Sequence, residues 1–167
     1  AILDPFGSNV NAYSDQDSTT LWGLHPYGSE SSVLIDWHGG TGTNTFGLYG
    51  VADGDPVQVE LFGPTTPPES GALLEFRRGL QPRVTVYLAP TYTSVTRRTL
   101  VGIHRSEFGF YLQSSQGTYF SQDFRNPGGA AHAVSYCPIL HWPYWLICFE
   151  NTPADSAADR DFIDAIV

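Results

Sequence analysis

The chain has 167 residues, enough for one domain with a buried core, and its sparse charge is one-sided: 17 Asp and Glu against 8 basic residues, all Arg, for a net charge of −9. That sign makes nucleic acid and anionic membrane surfaces poor partners and cations good ones. No apolar run reaches the roughly 18 to 20 residues that cross a bilayer, so no transmembrane segment is expected, and an Ala at position 1 with no Met anywhere fits a processed, mature form.

Plentiful Gly and Pro, recurrent turn clusters and an aromatic content of 14 % point to many short strands joined by tight loops. Residues 1–30 mix a short apolar start, "AILDPF", with polar and turn-forming residues and keep no period. They read as an irregular N-terminal arm with loops and at most one strand. From residue 31 to 167 strand signals become regular. "SVLIDW" and "NTFGLYG" flank a turn-rich "HGGTGT", and "PVQVELF" alternates Val57, Val59 and Leu61 against Gln58 and Glu60. After the Pro-rich "GPTTPPESG" come "ALLEFRR", "RVTVYL" (alternating through Val84, Val86 and Leu88), "SVTRRTLVGI", "FGFYLQ", "GTYFSQ", "AHAVSYC", "YWLICFE" and "DFIDAIV". No dozen residues carry a helical stripe. The expected fold is all-β: a two-sheet antiparallel β-sandwich, jelly-roll-like, with the arm at residues 1–30.

Two cysteines bracket "PILHWPYWLI". In a hairpin centred between Trp142 and Pro143, Cys137 and Cys148 face each other at a separation close to disulfide geometry. A disulfide would imply an oxidising compartment; the alternative is two buried thiols that pack as small apolar groups.

The stretch "ENTPADSAADRDFIDAIV" gathers Glu150, Asp155, Asp159, Asp161 and Asp164, with Arg160 alone to offset them. Such a cluster repels itself unless a cation occupies it. Ca²⁺ takes roughly six to eight oxygen ligands in irregular geometry, so carboxylates at i, i+2 and i+5 suit it, although the spacing is not that of an EF-hand. The alternative is a solvated acidic loop. "DGD" at Asp53 to Asp55 and "DQD" at Asp15 to Asp17 read first as turns, and His25, His38, His104, His132 and His141 lack metal-ligand spacing and read as surface or packing residues.

Three blocks, "NTFGLYGVADGDPVQVELFGP", "EFGFYLQSSQGTYFSQDFRNPGGAAHAVSY" and "WLICFENTPADSAADRDFIDAIV", together resemble an extracellular β domain common in PEP-CTERM-type exported bacterial proteins. The resemblance covers roughly residues 31–167. Its C-terminal signature, Phe-Glu-Asp-Leu-Pro, a Gly-rich spacer, then Asp-x-Asp-aromatic-Asn-Asp, implies a calcium site. It matches here at Glu150, Pro153, Asp159, Asp161, Phe162 and Asp164, while Asn151 stands where Asp is usual and Ile163 where Asn is usual. The resemblance thus implies calcium at Glu150, Asp159, Asp161 and Asp164, weakened by those two departures, and a secreted or cell-surface location.

Catalytic signatures are missing: no G-x-S-x-G elbow, no phosphate loop before a helix, no H-E-x-x-H. Glu60 with Glu75 is a pair that any chain of this composition offers, and the expectation is not an enzyme. "HWPYW" sets Trp142, Tyr144 and Trp145 around the proposed hairpin tip, with Trp37 elsewhere; exposed aromatics stack on sugar rings or anchor interfaces. Two functions follow as expectations. The first is a secreted structural protein assembling with copies of itself into a filament, sheath or matrix. An apolar arm (Ala1, Ile2, Leu3, Phe6) would pair with a neighbour's sheet edge and calcium would order the last strand or bridge subunits. The second is a polysaccharide-binding module using Trp142, Tyr144 or Trp37, with a structural calcium ion.

Overall fold

The structure, a computed structural model, describes residues 16–17, 20–23, 30–37, 43–51, 55–77, 79–104, 107–136, 146–151 and 165–166. Its strands are β1 (Gln16–Asp17), β2 (Glu30–Trp37), β3 (Thr45–Gly50), β4 (Val57–Phe62), β5 (Ser70–Arg77), β6 (Arg83–Leu88), β7 (Thr93–Thr99), β8 (Phe108–Ser114), β9 (Gly117–Phe120), β10 (Ala133–Tyr136), β11 (Leu146–Phe149) and β12 (Ala165–Ile166). They form three four-stranded antiparallel sheets, in the orders β2-β5-β6-β7, β4-β3-β8-β9 and β1-β10-β11-β12. Among the described residues there is no α-helix; two short 3-10 turns, Asp123–Arg125 and Pro127–Gly129, link β9 to β10. The expected all-β antiparallel sandwich is the fold. The first two sheets are its layers, and the third, not foreseen as a separate sheet, adds to the same core.

Period-two patterning explains which face of each strand is buried. In β2, Ile35 and Trp37 enter the core while Ser32, Leu34 and Asp36 are exposed. In β4 the stripe read from the sequence holds only in part: Leu61 is buried and Val59 half-buried, but Val57 is 43 % exposed. The ladder between β3 and β4 shifts register at Phe46 and Gly47, and with that shift the neighbours Leu61 and Phe62 are both buried. Residues near the arm are tied in as well, because Trp22 exchanges both backbone hydrogen bonds with Phe108 at 2.9 Å each.

Aromatic rings join the layers. Phe46 of β3 is fully buried and meets Trp37 of β2 at 5.7 Å, Phe110 of β8 at 5.5 Å, Phe62 of β4 at 6.3 Å and Phe149 of β11 at 5.8 Å, so one side chain touches all three sheets. Phe76 stacks on Phe108 at 6.0 Å between the two main layers. Close approach on the outer face of the second sheet needs Gly109, where an added Cβ would overlap the Tyr49 ring. Removing the Phe46 ring opens a cavity that no single sheet can collapse into. Phe46→Ala is expected to cost about 3–5 kcal/mol in denaturant unfolding.

Candidate functional site

The acidic segment begins at a built polar corner. Glu150 is 3 % exposed, and its amide donates to the His132 carbonyl at 3.0 Å while His132 Nδ1 lies 3.2 Å from the Glu150 carbonyl. The His132 imidazole, itself buried, stacks on Tyr119 at 4.0 Å and 14°, so it serves packing, as expected of the histidines. The next residue is braced too: Asn151 Nδ2 donates to Asn44 Oδ1 at 3.4 Å, and Ser114 Oγ donates to the Asn151 carbonyl at 3.2 Å. A carboxylate at 151 could not donate to Asn44, which gives a local reason for Asn where the resembling signature has Asp.

Strand β12 returns to this corner. Ala165 pairs with Phe149 and Ile166 with Cys148. Glu150 follows directly on the Phe149 that pairs with Ala165. Asp159, Asp161 and Asp164 lie outside the described residues, as do Ala1, Ile2, Leu3 and Phe6. Among the described residues no three His, Cys, Asp or Glu side chains gather to hold a metal ion.

The hairpin register differs from the one expected. β10 and β11 pair Val134 with Cys148, where a hairpin centred between Trp142 and Pro143 would have put Cys137. Direct opposition of the two cysteines, the geometric ground for the disulfide, is therefore corrected. The strand partner of Cys148 on one side is Val134 and on the other Ile166, because β10 and β11 register by their buried residues, Val134 and Tyr136 with Ile147 and Phe149. Cys148 is a free, buried thiol, and Cys137 lies outside the described residues.

Trp37 is also corrected as a sugar platform. It is 3 % exposed, stacked on Phe62 at 5.4 Å, and fills the core. Trp142 and Tyr144 lie outside the described residues. Glu60 and Glu75 form no couple: Glu75 sits on the outer face of one layer, its two carboxylate oxygens accepting from Arg77 at 3.1 Å and Arg97 at 3.3 Å, while Glu60 belongs to the other layer, beside Tyr111.

Two features escaped the sequence reading. One is the loop 121–130. Asn126, buried, accepts from the Phe120 amide at 2.7 Å and donates to the carbonyls of Phe120 at 2.9 Å and Ala130 at 3.0 Å. Gln122 Oε1 takes both Tyr49 Oη, at 3.0 Å, and Arg125 Nε, at 2.8 Å. On this braced loop Phe124 stands 71 % exposed, with the Arg125 guanidinium 5.1 Å from its ring centre. The other feature is the edge strand β2, with Leu34 63 % exposed at its middle. Composition signals neither, since an exposed Phe or Leu looks like a core residue until the fold places it.

Burial pushes the Cys148 thiol from its ordinary 9.0 up to about 12. Tyr111 moves from 10.0 to about 12, by burial first and then by the charge of Glu60. Both groups are raised on folding, so their contribution to stability is whole below the unfolded values and is lost as pH climbs through 9.0 towards 12. The melting temperature is expected to fall over that window, and less steeply in Cys148→Ala. Iodoacetamide at pH 8 should spare Cys148 in the native protein and label it in denaturant without reductant, read by peptide mass mapping; a disulfide would leave it unlabelled in both.

Compared with protein-family models, curated proteins and solved structures, the chain matches none of them.

Proposed function

We propose that this chain is a non-enzymatic structural module that joins copies of itself, through sheet-edge contacts, into an extracellular filament, sheath or matrix, with calcium held by its acidic segment. The observation that carries the reading is strand β2. A sheet edge presents a row of backbone donors and acceptors that another chain can pair with, and proteins usually blunt such edges by shortness, bulges, charge or Pro. The other described edges are blunted: β9 has four residues, β1 and β12 have two each, β7 carries Arg97 and Arg98 against a register shift, and β4 follows Pro56, carries Glu60 and faces a shift of its own. β2 runs for eight residues, is uncharged from Ser31 to Ile35, and pairs with β5 alone among the described strands.

The acidic segment supports the calcium part. Glu150 opens the segment from its enclosed corner, and the acidic side chains that follow repel one another unless a cation sits among them. Asp159, Asp161 and Asp164 would supply further oxygens to a hard cation.

Light scattering is expected to give multi-copy species for the native protein and smaller ones for Leu34→Lys, with far-UV circular dichroism unchanged. A native protein that stays single both in millimolar calcium and in chelator overturns the assembly reading. Calcium at a hundredfold excess over its Kd should stabilise the fold by about 2.7 kcal/mol, a gain that Asp159→Asn with Asp161→Asn removes.

A second reading, polysaccharide binding, is favoured by Phe124. Its ring sits exposed on a braced loop between the polar side chains of Asp123 and Arg125, and stacking a sugar's C–H face on such a ring needs little ordering. Glycan-array binding that vanishes in Phe124→Ala and survives in Phe124→Trp is the expected result; an empty array rejects this reading.

A further inference from the structure

The register of β2 can be followed further. The Trp37 carbonyl accepts the Glu69 amide at 2.6 Å, on the side of β5. Backbone groups along an antiparallel strand alternate between its two sides. Val33, Ile35 and Trp37 therefore bond towards β5, while Ser32, Leu34 and Asp36 turn their N–H and C=O groups to the edge that pairs with no other described strand. The side chains of these edge-bonding residues are all exposed on the outer face, whereas Ile35 and Trp37 are in the core.

The occupant that suits this edge is β2 of a second copy. An antiparallel partner must pair edge-bonding residues with edge-bonding residues, which leaves few registers, and the exposed side chains separate them. Centring the pair on Val33 sets Leu34 opposite Ser32 of the other copy and leaves the exposed apolar side chain against a hydroxyl. Centring it on Ile35 sets Leu34 opposite Asp36, a carboxylate against the exposed apolar side chain. A centre at Ser32 carries Leu34 to position 30, at the end of the strand, again away from its counterpart. A centre at Leu34 has none of these faults. Leu34 meets Leu34, Ser32 meets Asp36 as hydroxyl donor to carboxylate, and Val33 meets Ile35 on the core face.

We infer that two copies of this chain pair through β2 in antiparallel register about a two-fold axis at Leu34, joining their β2-β5-β6-β7 sheets into one eight-stranded sheet. The inference rests on the assembly reading and names its partner and geometry. Such a contact uses the same surface on both copies and closes at two. It makes the paired building block, and growth into a filament uses another surface.

Cysteine crosslinking under mild oxidant tests the register, because hydrogen-bonded partners have Cα atoms about 5.5 Å apart, within reach of a disulfide. Leu34→Cys alone should shift most of the chain to twice its mass on non-reducing gels. Ser32→Cys and Asp36→Cys should each stay single alone and crosslink when mixed, and the native protein, as control, should give no such band. Crosslinking of Ser32→Cys by itself, or none in Leu34→Cys while light scattering still shows multi-copy species, overturns this register and leaves the assembly reading standing. Single chains in both measurements overturn both. Because Leu34 and Ser32 are exposed on the outer face, these replacements leave the core intact, and an unchanged melting temperature checks it.

Discussion

Everything in this sandwich depends on burying the ring of Phe46. A strand can hide one face only if something apolar covers it, and here a single side chain of β3 is the meeting point for Trp37, Phe62, Phe110 and Phe149, drawn from all three sheets. Edge-to-face and offset rings interlock rather than slide, so this cluster fixes how the layers sit on each other as well as how much surface leaves water. The corner at Glu150 inherits its position from that packing. Phe149 is locked against Phe46, and the very next residue is the enclosed carboxylate.

The same burial decides which aromatics and edges remain for other tasks. Trp37 is consumed by the core, whereas Phe124 is held out by a loop whose polar groups are satisfied inwardly through Asn126 and Gln122. Likewise, the inward residues of β2 anchor the strand through Ile35 and Trp37, and the alternation of side chains then leaves Leu34 in water. The exposed outer face of β2 is a by-product of core packing on the opposite face of the same strand.

The third sheet carries the acidic segment. Its central hairpin contributes Ile147 and Phe149 to the shared core while β12 adds to its edge, so the stretch between β11 and β12 is tethered at both ends by one paired step. Asn151 has a structural duty there, bonded to Asn44 and Ser114, which separates the question of fold from the question of cation affinity at the position where the resembling signature has a carboxylate.

Local information was enough for the strands. Alternation in "SVLIDW" and "RVTVYL", turn residues between them, and the lack of any helical stripe gave the all-β class and nearly every strand, because side-chain period is a property of neighbouring residues. The acidic cluster and the polarity of the chain were equally plain from composition. What the sequence could not contain was anything set by partners far apart in the chain: the shift that pairs Cys148 with Val134, the third sheet, the enclosure of Trp37, the exposure of Phe124 and the outward turn of Leu34. Each depends on which surfaces meet when distant strands pack, and only the tertiary structure decides that.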